Sequence, residues 1–358
     1  MTTTPTQASS VLRLSCPGEL VEVVPYLLGF HPEDSVVLLA LEQPGRRVGL
    51  TVRIDLPPPG DVAGYARECA ARFSGSASAG ALLLVFAADA GPASHRPLCA
   101  AFDEAFAHRG VQVHEALLVG RDRWCSLLCH DASCCPPEGV PFASGTSVVA
   151  AAATYAGLTA RPDRASLADI LDPEPSRACA ATARTIARAV AELRGRRAAG
   201  ESAESLRAES ERLLRGALDG AREGARPGDD EVARLVAGLG DIQVRDSVAA
   251  WTGPEIGEAA RNLWLQLARR VPPPHDAAPL TLAAWVSYLQ GEGAFARTAV
   301  ERALRSDQGY SLAQLLRGVL DAGIPPRLMR RQVALFARHR PGCRPRVAQL
   351  EQDPQGTP

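Results

Sequence analysis

The chain has 358 residues and a formal net charge of −1. That balance supplies no positive field, so we expect neither a nucleic-acid partner nor a membrane surface as partner. All 39 basic residues are arginines, since the sequence contains no lysine. This excludes the Schiff-base lysine of a pyridoxal phosphate (PLP) enzyme and the phosphate-binding lysine of a P-loop nucleotide site.

The N-terminus and the cysteine count indicate a compartment. The first ten residues, MTTTPTQASS, have neither the basic start nor the apolar run of a secretory signal. No apolar stretch approaches the roughly 20 residues of a membrane-spanning helix. Nine cysteines, an odd number, favour free thiols or metal ligands over a disulfide framework. The sequence therefore predicts a cytoplasmic protein.

Residues 12–145 have the pattern of an α/β domain. The predicted elements, in chain order, are a helix at 18–28, strands at 36–41 and 47–56, a helix at 61–73, a strand at 81–87, a helix at 96–109 and a strand at 111–119. The first two strands can form a hairpin across residues 43–45. The β-α-β-α-β order from residue 50 onward favours a mixed sheet with a parallel core.

Residues 146–340 predict an all-helical half, because their apolar residues recur at helical spacing and no convincing strand follows Gly145. The two ends of the chain, 1–11 and 341–358, read as flexible tails.

One helical hairpin resembles a tetratricopeptide repeat. Small residues at Ala296, Ala299 and Ala303 share one helical face, and we expect Trp285 and Tyr288 on the preceding helix to pack against them. Such repeats normally occur in three or more copies, and only one is visible. The hairpin is therefore either an ordinary helix pair or a surface for a protein partner.

Two short polar segments border the first two strands. His31, Asp34 and Ser35 precede the strand at 36–41 and have the residue types of a nucleophilic triad, although they are also common turn residues. Arg53 and Asp55 close the next strand and lie on the same face by strand alternation. They could orient a small polar ligand at a strand end or form a plain surface ion pair.

A cysteine-rich loop at 120–139 is the third segment. Cys125, Cys129, Cys134, Cys135 and His130 fall within eleven residues. Thiolates and imidazole bind zinc, but the spacing differs from that of a zinc finger, and a fourth ligand from elsewhere, such as His31, would be required. The open alternatives are a zinc site at Cys129, Cys134, Cys135 and His130, redox or disulfide chemistry, and thiols that only pack.

We hypothesise that the three segments converge on one surface at the strand ends. A shared site requires the side chains of His31, Asp55 and either Cys129 or Cys134 within about 10 Å, the span of a small-ligand pocket. The predicted binding surface consists of His31, Asp34, Ser35, Arg53, Asp55, Arg121 and Trp124.

These segments together resemble domain-of-unknown-function family 4192. The resemblance rests on PYLLGFHPEDSVVLLAL, RIDLP, GRDRWCSLLCHDASCCPPEG and LAAWVSYLQGEGAFARTAVERALRSDQGYSLAQLL, and it runs from about Leu12 to Pro326. It implies a cytoplasmic actinobacterial protein and supplies no activity. The positions that match the family pattern are His31, Asp34, Arg53, Asp55, Cys129, Cys134 and Cys135, whereas Cys125 stands where another residue type is expected.

Two functional hypotheses follow. The first is a regulatory or interaction protein, whose α/β domain binds a small polar ligand and whose helical half contacts a protein partner. The alternative is an enzyme that uses His31 or a cysteine thiolate in a cleft at the strand ends.

Overall fold

The architecture comes from a computed structural model of the chain. It describes residues 13–339 except 44–46, 59, 74–77, 89–90, 143–144, 146, 175–178 and 252. The two predicted tails, 1–11 and 341–358, lie outside the described residues. Part of the predicted hairpin turn, residues 44 and 45, is likewise outside them.

The chain divides into two compact units. The first contains residues 1–170 together with 319–325, and the second contains 171–318 together with 326–358. The first unit holds all six described strands, and the second is built from helices.

The first unit is organised around one six-stranded mixed sheet. Its spatial order is β2-β1-β3-β4-β5-β6. The strands are β1 (Ser35–Glu42), β2 (Arg47–Asp55), β3 (Ser78–Phe86), β4 (Gln112–Val119), β5 (Arg123–Ser126) and β6 (Val140–Pro141).

Some helices belong to the first unit with the sheet, and the others make up the second unit. Those within residues 1–170 are α1 (Pro17–Leu28), α2 (Val62–Phe73), α3 (Pro92–Ala107), α4 (Val148–Tyr155) and α5 (Ser166–Asp169). Those that follow are α6 (Cys179–Ala198), α7 (Ala203–Arg222), α8 (Asp229–Leu239), α9 (Ile242–Ala249), α10 (Pro254–Arg270), α11 (Ala277–Gln290), α12 (Gly293–Ser306), α13 (Ser311–Asp321) and α14 (Pro326–His339). Both α1 and α10 begin with proline, whose missing N–H costs nothing at a helix start.

Strand β1 lies inside the sheet, and this explains its apolar sequence. It pairs antiparallel with β2 on one side and with β3 on the other, so that Ser35 is opposite both Asp55 and Phe86. A strand with neighbours at both edges and covered faces needs apolar residues at successive positions, not alternate ones. All residues from Ser35 to Leu41 are accordingly buried.

One hydrophobic core lies between the sheet and helices α2 and α3. Alternate strand residues face these helices, and the aromatic rings of Phe73, Phe102 and Phe106 fill the layer. The intervening residues, such as Val37 and Leu39, are equally buried on the opposite face. Each face of the sheet is therefore covered at these strands.

The predicted fold class is confirmed: a mixed sheet is followed by a helical half. Two details differ from the prediction. Strand β1 inserts between β2 and β3, so that within the described sheet only β3 and β4 pair in parallel. The segment predicted as a cysteine-rich loop also contributes strands β5 and β6, which extend the sheet beyond β4.

Helices α11 and α12 form the hairpin that the sequence predicts. Ala296, Ala299 and Ala303 are fully buried. Tyr288 is also buried, whereas the indole of Trp285 donates a hydrogen bond of 2.8 Å to the carbonyl of Ala249 at the end of α9. Its polar edge therefore faces α9. A tetratricopeptide-like role for this helix pair stays a prediction.

Replacing Ala299 by leucine should destabilise the protein by about 1–3 kcal/mol, because a fully buried alanine leaves no room for three more carbons. Thermal or denaturant unfolding of the full chain measures this change. The matched control is Ala208→Leu on the exposed face of α7, which should shift the free energy of unfolding by less than about 0.5 kcal/mol. Equal effects of the two substitutions would contradict close packing in the hairpin.

In the described part of the chain, no helix combines the length and apolar character needed to cross a membrane.

Candidate functional site

One end of the sheet gathers several of the predicted site residues. Strand pairing places Ser35 beside Asp55 and Phe86, Phe86 beside Val119, and Val119 beside Trp124. Strand β1 begins at this end, whereas β2, β3 and β4 finish there. The predicted neighbourhood of the His31–Ser35 loop and the Arg53–Asp55 strand end is thus present in the structure.

Arg53 links this loop to the end of β2. Its guanidinium forms an ion pair with the Asp55 carboxylate and donates a hydrogen bond of 3.1 Å to the carbonyl of Glu33. The Leu56 N–H donates to the carbonyl of Asp34 at 3.2 Å, which extends the ladder between the strands. We call Arg53, Asp55 and the loop they hold the Arg53 corner. Its side-chain contacts fasten a strand end to a loop.

The remaining loop residues also have structural contacts. Asp34 adopts a left-handed φ of 40°, a strained backbone conformation for a residue other than glycine. Ser35 is fully buried, and its hydroxyl has no hydrogen-bond partner within the described residues, so it is not presented to solvent as a nucleophile. His31 is half-buried, and its backbone N–H donates to the Arg161 carbonyl at 2.9 Å.

Arg121 and Trp124 belong to the turn between β4 and β5. Arg121 is exposed within this turn, which the Gly120 N–H closes by donating to the carbonyl of Arg123 at 2.8 Å. Trp124 is half-buried beside the first turn of α1. A methyl group on Gly18 would lie 3.4 Å from its indole nitrogen, so the ring packs closely there.

Three thiols of the cysteine-rich segment form a compact group. The sulfur atoms of Cys129, Cys134 and Cys135 all lie within 4.8 Å of one another. We call these three residues the thiol cluster. Cys134 is exposed and the other two are half-buried, and all three are free thiols. Among the described residues, no other group of three or more His, Cys, Asp and Glu side chains has its ligand atoms this close together.

Hydrogen bonds hold the loop that carries the thiol cluster. The hydroxyl of Ser126 accepts the N–H groups of Leu128 and Cys129, both at 3.2 Å, and donates to the Glu115 carboxylate at 2.8 Å. The carbonyl of Asp131 accepts the N–H groups of Cys134 and Cys135 at 3.2 and 2.7 Å.

The side chain of Asp131 stabilises the same turn. Its carboxylate accepts hydrogen bonds from the N–H and hydroxyl of Ser133, which lower the pKa of Asp131. The turn therefore brings Cys134 and Cys135 back toward Cys129.

Arg96 on α3 places a positive charge beside the loop. It donates to the carbonyl of Cys129 at 3.3 Å, and another of its nitrogens lies 2.6 Å from Nδ1 of His130. A neutral imidazole has one acceptor nitrogen, and Arg96 occupies it. His130, a predicted metal ligand, is therefore directed toward Arg96 and does not join the thiol cluster.

The pKa values of three cysteines are shifted upward. Burial is the main cause that raises the pKa of Cys135 to about 11, and the hydrogen bond with the Cys129 thiol is the second. Burial likewise raises the pKa of Cys125, and it raises the pKa of Cys99 to about 11. These three thiols are protonated at neutral pH in the metal-free protein.

The structure does not bring the thiol cluster to the Arg53 corner. Within the described residues no hydrogen bond or ion pair joins the two groups, and strands β2 and β5, from which they extend, are four strand spacings, about 19 Å, apart. The reason is the direction of β5. It returns antiparallel along β4, and the Leu127 N–H donates to the Ala116 carbonyl at 2.7 Å, on the side of β4 away from β3 and β2. Neither His31 nor any other His, Asp or Glu in the described residues supplies a fourth ligand to the cluster.

The residues that support the loop could not be identified from the sequence. Arg96 lies some thirty residues earlier, on the helix after β3, and Glu115 is on β4. Strand pairing brings both near the loop, and no local sequence signal marks either residue. The grouping of the cysteines was the part of this site that residue types and spacing could indicate.

The protein is of the α/β class, with a mixed sheet that carries the thiol loop and a helical unit that follows it. The chain belongs to the family described as Domain of unknown function (DUF4192), whose model matches residues 17–327. This match confirms the resemblance inferred from the sequence. None of the curated proteins and none of the solved structures matches the chain.

Proposed function

We propose that this protein binds one Zn²⁺ ion through Cys129, Cys134 and Cys135. The observation that carries the proposal is the grouping of their three sulfur atoms within 4.8 Å. Zinc–sulfur bonds of about 2.3 Å place tetrahedral ligand sulfurs about 3.8 Å apart. Binding would therefore require the sulfur atoms to close by at most about 1 Å around the ion.

The exposure of the cluster supports binding over packing. Cys99 and Cys125 are buried, as expected of thiols that act as small apolar side chains. The three cluster thiols are at least partly accessible and converge from two stretches of one loop. Three thiolates around Zn²⁺ carry a net charge of −1, and the Arg96 guanidinium beside Cys129 would stabilise that charge.

Three protein ligands leave a fourth coordination position open. Structural zinc sites are closed by four protein ligands, whereas sites with three protein ligands bind an exchangeable water or substrate as the fourth ligand. The open position would accept water, or a thiol or imidazole from a small molecule or protein partner. We therefore propose a binding or regulatory role, in which occupancy of the metal responds to an incoming ligand. A partner surface on the helical half and a polar ligand at the Arg53 corner remain predictions.

Two observations support this role over an enzyme that uses His31 or a thiolate. A nucleophilic cysteine needs a lowered pKa, and the pKa of Cys135 is raised. In addition, His31 precedes β1, the second strand of the sheet, whereas the thiol cluster lies in the loop between β5 and β6, the last two strands in the spatial order. None of the seven cysteines whose side chains are described forms a disulfide. This supports a reducing compartment, and we propose the cytoplasm.

Metal titration of the reduced full-length protein tests the proposal. We expect one Zn²⁺ per chain by calorimetry. Co²⁺ used as a probe should give thiolate-to-metal charge-transfer absorption, because its ligands would be sulfur. Zn²⁺ should then displace Co²⁺ and abolish the absorption. The absence of saturable binding, or a Co²⁺ spectrum without sulfur ligation, would refute the site. Rapid loss of free thiols on mild oxidation without metal binding would instead indicate a redox role.

A further inference from the structure

We infer that the helical unit contains a second binding site, for a small organic phosphate, in a cavity lined by arginines. The cavity has a volume of about 370 Å³, within the range of small-molecule sites. It lies among the end of α10, the starts of α8 and α11, one side of α12 and the segment before α6. The inference is independent of the proposed zinc site.

Four arginines line this cavity: Arg226, Arg269, Arg270 and Arg302. Two of them are neutralised by lining carboxylates. Arg226 pairs with Glu174 at 3.2 Å, and Arg270 pairs with Asp229. The third lining carboxylate, Asp276, is buried and accepts a hydrogen bond from the Ser306 hydroxyl.

Arg269 and Arg302 retain unused hydrogen-bonding capacity. Arg269 donates through Nε to the Asp172 carbonyl at 2.9 Å, and its two terminal nitrogens have no described acceptor. Arg302 has no hydrogen-bond or ion-pair partner within the residues that the structure describes, although the Asp276 charge lies near it. Both side chains are half-buried, so their charges are less completely solvated than those of free surface arginines.

The arrangement suits phosphate better than carboxylate. A carboxylate is planar and is satisfied by one guanidinium, whereas a phosphate monoester has three outer oxygens and a charge near −2. Arg269 and Arg302 line the cavity from different helices, α10 and α12, so that two guanidinium groups are available to one ligand. The N-terminal ends of α8 and α11 also border the cavity, each beside a carboxylate, Asp229 and Asp276.

The remaining walls are apolar and indicate what the phosphate is attached to. Leu171, Ala268, Val271 and Leu280 contribute aliphatic surface, together with neighbouring prolines. Inorganic phosphate would leave that surface in contact with water. A phosphate ester with a small apolar body would cover it, and the gain would be proportional to the area removed from water.

Calorimetric titration of the full-length protein with phenyl phosphate tests the inference. We expect one molecule per chain, with tighter binding than either inorganic phosphate or benzoate at the same ionic strength. Arg302→Gln and Arg269→Gln should each weaken phenyl phosphate binding by about 10- to 100-fold, the loss expected for charged hydrogen bonds. Thermal unfolding of each variant, measured alongside, establishes that it is folded.

Arg305→Gln is the matched control, since it removes the same charge from the exposed face of α12. It should leave the affinity for phenyl phosphate unchanged. Equal weakening by Arg305→Gln would show nonspecific attraction of anions, and benzoate binding as tightly as phenyl phosphate would show a carboxylate site. Absence of saturable phenyl phosphate binding to the unaltered protein would also overturn the inference. The zinc titration is unaffected by any of these outcomes.

Discussion

Replacing Cys134 by serine should lower the affinity of the protein for Zn²⁺ by at least about 100-fold. Structural zinc sites gain about 10–16 kcal/mol of apparent free energy from four ligands, so one ligand accounts for about 3 kcal/mol. Cys134 is exposed, and its N–H, which holds the turn at Asp131, is kept in the variant. The metal-free variant should therefore unfold within about 0.5 kcal/mol of the unaltered protein. Competition titration with a zinc chelator measures the affinity.

Cys16→Ser is the matched control for this experiment. Cys16 is also an exposed free thiol, but it precedes α1 and does not belong to the thiol cluster. Its replacement should leave zinc affinity unchanged. If both variants bind Zn²⁺ as the unaltered protein does, the metal is held elsewhere. If both lose affinity equally, binding is a general property of exposed thiols.

Replacing Phe102 by alanine should destabilise the protein by about 3–5 kcal/mol. Phe102 is fully buried between the sheet and α2, with its ring centre 6.4 Å from that of Tyr65 in an edge-to-face contact and 6.1 Å from that of Phe106. The substitution removes these contacts and leaves a cavity that a sheet packed on both faces cannot close. Tyr65 also donates a hydrogen bond to the Asp55 carbonyl. We therefore expect the substitution to destabilise the Arg53 corner as well.

Denaturant unfolding followed by circular dichroism measures this loss. Tyr155→Ala is the aromatic control, because that side chain is 90% exposed and its removal should change stability by less than about 0.5 kcal/mol. A cost below about 1 kcal/mol for Phe102→Ala would mean that the aromatic layer is loosely packed. Hydrogen exchange at the Asp55 end of β2 would report whether the effect spreads along the strand.

The sequence predicted the fold class because its periodicities were strong. Unbroken apolar runs at 36–41 and 81–87 indicated strands covered on both faces, and both segments occupy the middle of the sheet. The place of β1 between β2 and β3 was not predictable in the same way. A β-α-β pattern fixes strand direction, but it does not say whether an earlier strand inserts between the two.

The candidate site was predictable only in part. Residue types and spacing drew attention to the cysteines, and hairpin geometry correctly placed Ser35 beside Asp55. The path of the chain after Gly120 was the missing element. A four-residue strand, Arg123–Ser126, lies below the length at which alternation is a usable signal. The arginines of the helical cavity lie far apart in sequence, so only the fold brings them together.

The interior position of β1 has a consequence for the nascent chain. When β1 and β2 have paired but β3 has not yet been synthesised, the second edge of β1 has no partner, since that edge is reserved for Ser78–Phe86. The strand carries one charged residue, Glu42, at its far end. An unpaired apolar edge of this kind is a template for other chains. Intermolecular aggregation should therefore compete with folding, and the yield of refolding should fall as protein concentration rises.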